Sequence, residues 1–228
     1  MSTTLGLKGI SYLVKPPVEI CRGNKLSIIP VLFFWLLLLP HADGGSAENP
    51  STVSFFGLKW GTPISKFRGL GMTIEEEWRI WDRGMAVRVH EIPTSPPNTG
   101  SMILVFDQEF GLVKIHWAGN PIQRDQNGKR GIEEYEEFKI RLSEQYGSPT
   151  ESQEQTTVKL NGYHGDFYQC LKEAPCGKWE SIWEIDSGGT IILELVGLDP
   201  EVGFLQMSQQ GPNLGKILER MQSQDMAI

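Results

Sequence analysis

The chain is poor in the residues that announce chemistry. It has three cysteines, Cys21, Cys170 and Cys176, and four histidines, His41, His90, His116 and His164. Zinc sites draw on ligands paired at short spacing, and no histidine here has such a partner. A Gly-x-Ser-x-Gly nucleophile elbow is absent, as is any glycine-rich phosphate loop. There is no Cys-x-x-Cys of the kind oxidoreductases use. Positive charge is scarce as well. Residues 1 to 47 hold four basic residues (Lys8, Lys15, Arg22, Lys25) and two acidic ones (Glu19, Asp43), and the remainder has 17 basic against 26 acidic, a net charge of −9. That balance repels phosphate backbones and argues against a nucleic-acid partner. With 39% apolar and 21% charged residues, the chain is neither disordered nor fibrous.

Long apolar runs are also missing, with one exception. Leu26 to Leu39 (LSIIPVLFFWLLLL) follows Arg22 and Lys25 and precedes Pro40 and a small-residue run ending Gly45-Ser46-Ala47. This is the three-part layout of a secretory signal, with cleavage expected after Ala47. The run is shorter than the roughly 20 residues that cross a bilayer, and Pro30 interrupts it. An inner-membrane anchor through Leu26 to Leu39 is the competing reading, and membrane contact is expected only through this segment if it stays uncleaved. Cys21 precedes the apolar run, which argues against a lipid-modified cysteine. Residues 1 to 20 are long for a signal's charged region, as a translation start nearer the apolar run would explain. The expected organisation is residues 1–47 as signal with a long extension and 48–228 as one exported α+β domain, periplasmic or extracellular.

What the chain does carry is periodicity. In Gly131 to Pro149 (GIEEYEEFKIRLSEQYGSP), Tyr135, Phe138, Leu142 and Tyr146 recur at three-and-four spacing, which predicts an amphipathic helix. Glu133, Glu134, Glu136 and Glu137 crowd its expected first turns, where the helix dipole favours carboxylates. Gly147 supplies a left-handed stop, and Pro149 prevents resumption. Strand patterns surround this helix. Gly84 to Ile92 alternates, Met102 to Phe106 and Leu112 to Trp117 form a hairpin around Gly111, and Val158 to Cys170, Lys178 to Ile185, Thr190 to Val196 and Phe204 to Met207 follow. Ser187-Gly188-Gly189 is a hairpin turn. Thr62 reads as an N-cap with Pro63 in the first helical position, opening a short helix through Ile64, Phe67 and Leu70. Pro93 to Gly100 is a loop by composition. Leu214, Ile217, Leu218 and Met221 share one side of a short C-terminal helix. The predicted fold is an antiparallel sheet with one main amphipathic helix packed on a face.

The phrase Gly57-Leu58-Lys59-Trp60-Gly61-Thr62, together with the helix ending Leu142 to Pro149, resembles a group of uncharacterised exported bacterial proteins. Their domains open with a phrase close to Gly-Ile-x-Trp-Gly-Thr, carry a central helix ending in Tyr-Gly or Phe-Gly, and finish on strands with a tryptophan. The resemblance covers most of residues 55 to 210. It implies the α+β fold and the exported address, and it brings no activity, cofactor or site residue with it.

Function is therefore weighed on dispersed features. Cys170 and Cys176 flank a short loop between two expected strands and, in an oxidising compartment, are expected to pair as a hairpin staple adding roughly 2 kcal/mol. His90 and His116 are the sharper possibility if they meet across neighbouring strands with Asp107 or Glu91. That cluster would make an exported hydrolase or a metal-dependent enzyme, and His164 would be its third candidate. The carboxylates Glu133 to Glu137 lack the Asp-x-Asp-x-Asp-Gly pattern that wraps calcium and read as a solvated helix start or a cationic-partner surface. Trp60, Trp78, Trp81, Trp117, Trp179 and Trp183 read first as core and second as a ligand platform. The leading expectation is a non-enzymatic binding or envelope-assembly module with a protein partner in the cell envelope, no cofactor and no metal. Uncleaved export signals aside, no other partner is expected.

Overall fold

Eight strands form a single antiparallel sheet in the computed structural model, which describes residues 52–69, 72–90, 92–156, 167–173 and 176–225. The expected signal at Leu26 to Leu39, the Ala47 junction, Cys21, His41, Leu70, Glu91 and His164 lie outside these residues. In chain order the elements are α1 (Ile64–Arg68), β1 (Ile74–Trp81), β2 (Gly84–Val89), β3 (Thr99–Asp107), β4 (Gly111–Gly119), α2 (Lys129–Tyr146), β5 (Glu151–Thr156), α3 (Phe167–Lys172), β6 (Gly177–Ile185), β7 (Gly189–Asp199), β8 (Val202–Gln210) and α4 (Leu214–Asp225). The order across the sheet is β1-β2-β3-β4-β8-β7-β6-β5, so two four-stranded meanders meet where β4 pairs with β8, His116 opposite Ser208. The α+β class with an antiparallel sheet is as expected; the helices number four among the described residues.

Alternation along the strands sends Val87, Val89, Met102, Leu104, Ile115, Trp117, Leu193, Leu195, Leu205 and Met207 to one face, where they form the main core. α2 lies over β6, β7 and β8 on that face and buries Tyr135, Phe138 and Leu142. Phe138 stacks on Trp117 with ring centroids 4.8 Å apart. Phe55, Phe56, Leu58 and Trp60 cover the same face near the first meander. A bulge at Val113, where pairing passes from Val105↔Lys114 to Phe106↔Leu112, turns Val113 to the opposite face. There it joins Ala86 and Val105 in a smaller cluster sealed by Ile217 of α4.

Several local expectations need correction. Thr62 does not cap α1: Gly61 N–H donates to the Leu112 carbonyl and Leu112 N–H to the Thr62 carbonyl, which ties both residues to the start of β4. Pro63 therefore occupies the N-cap in extended conformation, and the helix begins at Ile64. β1 and β5 carry no clean alternation (IEEEWRIW and ESQEQT), because both are edge strands with mostly exposed side chains. The expected strand Val158 to Cys170 is overturned at its described end. Phe167 and Tyr168 are both buried, which consecutive residues of a half-covered strand cannot be, and they open the helix α3.

Tyr168 explains why α3 sits where it does. Its ring lies against Gly203, where an added Cβ would fall 2.0 Å from it, and its hydroxyl donates to Asp125 Oδ2 at 2.8 Å. Asp125 Oδ2 also accepts the Gly131 N–H at 2.9 Å. Thus α2 begins at Lys129 with no acidic residue in its first turn, and the carboxylate that satisfies its free amides comes from the preceding loop. Gly111 and Gly147 hold the positive φ expected of them, 64° and 82°.

Cys170 and Cys176 have Cα atoms 5.0 Å apart and sulfurs at bonding distance. With Cys170 on α3, the pair joins that helix to the start of β6 and is not a staple between two strands.

Candidate functional site

His90 and His116, the two histidines among the described residues, do not converge. His90 follows β2, is exposed, and faces Glu75, with Nδ1 3.5 Å from Oε1. His116 sits on β4, and β3 stands between the two strands. The row across the sheet at His116 runs Arg88, Ile103, His116, Ser208, Ile192, Ile182. Burial, then the neighbouring Lys114 ammonium, holds the His116 imidazole below its usual pKa. Its immediate row neighbours are Ile103 and Ser208, with no carboxylate beside them to form an acid-base pair.

Asp107, the carboxylate expected to join that cluster, is spent on the fold. Burial pushes its pKa up, but the Arg220 guanidinium, the Glu109 and Phe110 amides and the Trp81 indole outweigh this and hold it below the usual carboxylate range. Arg220 Nη2 lies 2.5 Å from Asp107 Oδ2, anchoring α4. Tyr135, Ser181, Glu154 and Lys139 form a second structural network beneath α2: the Tyr135 hydroxyl donates to Ser181 Oγ at 2.7 Å, and Lys139 Nζ lies 2.5 Å from Glu154 Oε1. Ser181 is fully buried. The tryptophans behave likewise. Trp117 and Trp183 are core, their indoles donating to Thr99 Oγ1 and the Gly147 carbonyl, and Trp60 packs on Gly211. Among the described residues, no group of three His, Cys, Asp or Glu side chains is placed to hold a metal ion.

A concave site does lie among the described residues. A cleft of about 390 Å³ opens between α2 and the loop at Pro96 to Asn98, lined by Arg130, Glu133, Glu134, Glu137, Phe138 and Arg141 on the helix side. The stripe Arg130, Glu134, Glu137, Arg141 lies one residue behind the buried stripe Gly131, Tyr135, Phe138, Leu142, so the packing that seats α2 also aims these charges at the cleft. The opposite wall is held rigidly. Ile92 N–H donates to Ser95 Oγ, Thr99 N–H to the Pro96 carbonyl at 3.1 Å, and Asn120 N–H to the Asn98 carbonyl at 2.7 Å.

Electrostatically the cleft is unresolved. No two of its five charged side chains lie within ion-pair distance of each other; Glu133 has Lys129, outside the cleft, at 3.9 Å. Arg130 Nη1 donates to the Gln123 carbonyl at 3.0 Å. Arg141 lies over the Phe55 and Phe138 rings, 5.0 and 5.4 Å from their centroids. Glu134 Oε1 is buried without a hydrogen-bond partner. Burial first, and the Glu137 carboxylate second, push the Glu134 pKa up, against the pull of Arg130. The lining combines charge with flat apolar surface, and no Ser, Thr, Cys or His side chain is part of it.

Reading the sequence alone picks out Glu133, Glu134 and Glu137 as a solvated helix start and misses Arg130, Arg141, Pro96, Pro97 and Asn98 as their companions. The available signal was the spacing of Arg130, Glu134, Glu137 and Arg141. The loop that closes the cleft comes from another part of the chain and leaves no such mark. Compared with protein-family models, curated proteins and solved structures, the chain matches none.

Proposed function

We propose that this chain is an exported, non-enzymatic binding or envelope-assembly module that engages a protein partner through the cleft between α2 and the Pro96 to Asn98 loop. The observation that carries this reading is the contrast in how charge is used. Asp107, Asp125 and Glu154 are bound into networks that hold helices to the sheet, whereas the five charged side chains of the cleft are left without ion pairs to one another. On this reading α2 is the element around which the module is organised, with α4 a lesser support.

Export through Leu26 to Leu39, with cleavage after Ala47, delivers the module to the envelope, where Cys170 and Cys176 are joined. Free-thiol titration of the exported protein checks the pairing, with none expected from this pair; a Cys170→Ser, Cys176→Ser double variant melts lower yet captures the same partner. The function is tested by affinity capture from envelope extracts. A stoichiometric partner held by the wild type and lost from Arg141→Ala, Glu137→Ala supports the reading, and recovery of no stoichiometric partner overturns it.

A further inference from the structure

We propose that β5 is a docking edge for a second copy of this chain, the two β5 strands pairing antiparallel about a two-fold axis at Gln153. The α2 cleft plays no part in this contact. The sheet is open: its order ends on β1 at one side and on β5 at the other, and among the described residues no strand pairs with the outer edge of either. Such edges present unpaired amides and carbonyls, and they are ordinarily blunted by bulges, lysines or proline.

β1 is blunted and β5 is not. Pairing of β1 with β2 slips between Ile74 and Glu76 and again between Arg79 and Trp81, and the Arg68 guanidinium grips Glu77, with both carboxylate oxygens at 2.7 Å. β5 runs from Glu151 to Thr156 against β6 without a slip, and it carries no lysine, arginine or proline. Glu151, Ser152, Gln153 and Gln155 are exposed along it, while Glu154 is held to Lys139 of α2.

The residues of β5 select the strand that fits. A two-fold axis normal to the sheet keeps each face of one copy continuous with the same face of the other only where residues of equal parity oppose, so the axis passes through a residue. Centred on Glu154, it sets two carboxylates against each other. Centred on Ser152, it brings Gln155 against Pro149, which has no N–H to give. Centred on Gln153, it pairs the strand throughout: Gln153 meets its own copy, Ser152 meets Glu154, Glu151 meets Gln155 and Thr150 meets Thr156. Every carboxylate then faces a hydroxyl or amide donor, and none faces another carboxylate. A strand complementary to its own reverse points to a second copy rather than to an unrelated chain, and the two-fold pairing closes both edges at once. The contact is one short strand a side, below the size of a permanent interface, so a reversible dimer is expected.

Sedimentation of the protein purified from the envelope fraction, at concentrations up to about millimolar, tests the association. The wild type is expected to pass from monomer to dimer. Gln153→Lys, which sets two ammonium groups face to face at the axis, is expected to weaken the dimer about tenfold or more. Gln153 is exposed, and melting curves confirm that its variants are folded. Introduced cysteines test the register. At the axis the Cα atoms of opposed residues lie about 4.5 to 5.5 Å apart, a span that a disulfide bridges, so Gln153→Cys is expected to cross-link as a dimer on mild oxidation. In Glu151→Cys the two thiols sit four residues out of register, about 13 Å apart, and are expected not to join. Cys170 and Cys176 are bonded to each other and leave the new thiol free to react. The proposal is overturned if the wild type stays monomeric throughout, if Gln153→Lys dimerises as tightly as the wild type, or if Glu151→Cys cross-links as readily as Gln153→Cys.

Discussion

α2 and α4 each follow a four-stranded meander, yet they are held to the sheet by different physics. α2 runs for 18 residues and sinks three large side chains, Tyr135, Phe138 and Leu142, into the main core. α4 runs for 12 residues on the opposite face and, among its described side chains, fully buries only Ile217; Leu214 and Met221 are half-buried and Leu218 is exposed. The difference is made up by charge. Arg220 reaches the fully buried carboxylate of Asp107, 113 positions earlier, and its guanidinium also lies over Phe110. An apolar stripe fastens a helix without regard to the exact partner, whereas an ion pair fastens it at one point and leaves a buried charge if broken.

That comparison can be broken by mutation. Leu142→Ala should cost roughly 2 to 4 kcal/mol, through lost transfer free energy and the cavity left under α2. Denaturant melts measure it. Arg220→Ala comes next, at about 1 to 2 kcal/mol, because Asp107 loses its charged partner but keeps three other donors. In this variant hydrogen exchange should quicken in α4 and stay slow in α2; equal quickening in both helices would mean that they are held as one unit.

The pH dependence sharpens the same contrast. The folded pKa of Asp107 lies below its ordinary value of 3.8, so its contribution is present above that value and is lost as pH falls through the lower folded one. Asp107→Asn should therefore be less stable at neutral pH and lose less stability between about pH 4 and 2 than the wild type. Acid-melting series on the two proteins decide this, and parallel curves would show that Asp107 is not the titrating support of α4. The smallest effect is expected from Glu136→Ala on α2, within about 0.5 kcal/mol, since no stabilising partner depends on that side chain. A loss approaching that of Leu142→Ala would mean that the stabilising face of α2 has been misassigned.

How well each part could be read ahead of the structure follows the same division. The hairpin at Gly111, the turn at Gly188, the strands β2, β3, β4, β6, β7 and β8 and the buried face of α2 were visible because their signals are local: alternation, three-and-four spacing, a glycine at a turn. β1 and β5 were missed because an edge strand with both sides wet has no reason to alternate. α3 was misread because its identity depends on Tyr168 meeting Gly203 and Asp125, residues far from it in the chain. The cleft was half legible, its helix side written in the Arg130 to Arg141 stripe and its loop side not.

Composition and periodicity by themselves determined the α+β class, the acidic surface and which residues of α2 are buried, since hydrophobic burial depends on spacing along one element. Only the tertiary structure decided that the two histidine-bearing strands are kept apart by β3, that Asp107 serves α4 and not a reactive cluster, and that Pro96 and Pro97 come to face Glu134 and Glu137. Each of these is a meeting of side chains remote in sequence. Such meetings are set by strand order and by the closeness of approach that glycines at 131 and 203 allow, neither of which leaves a periodic trace in the chain.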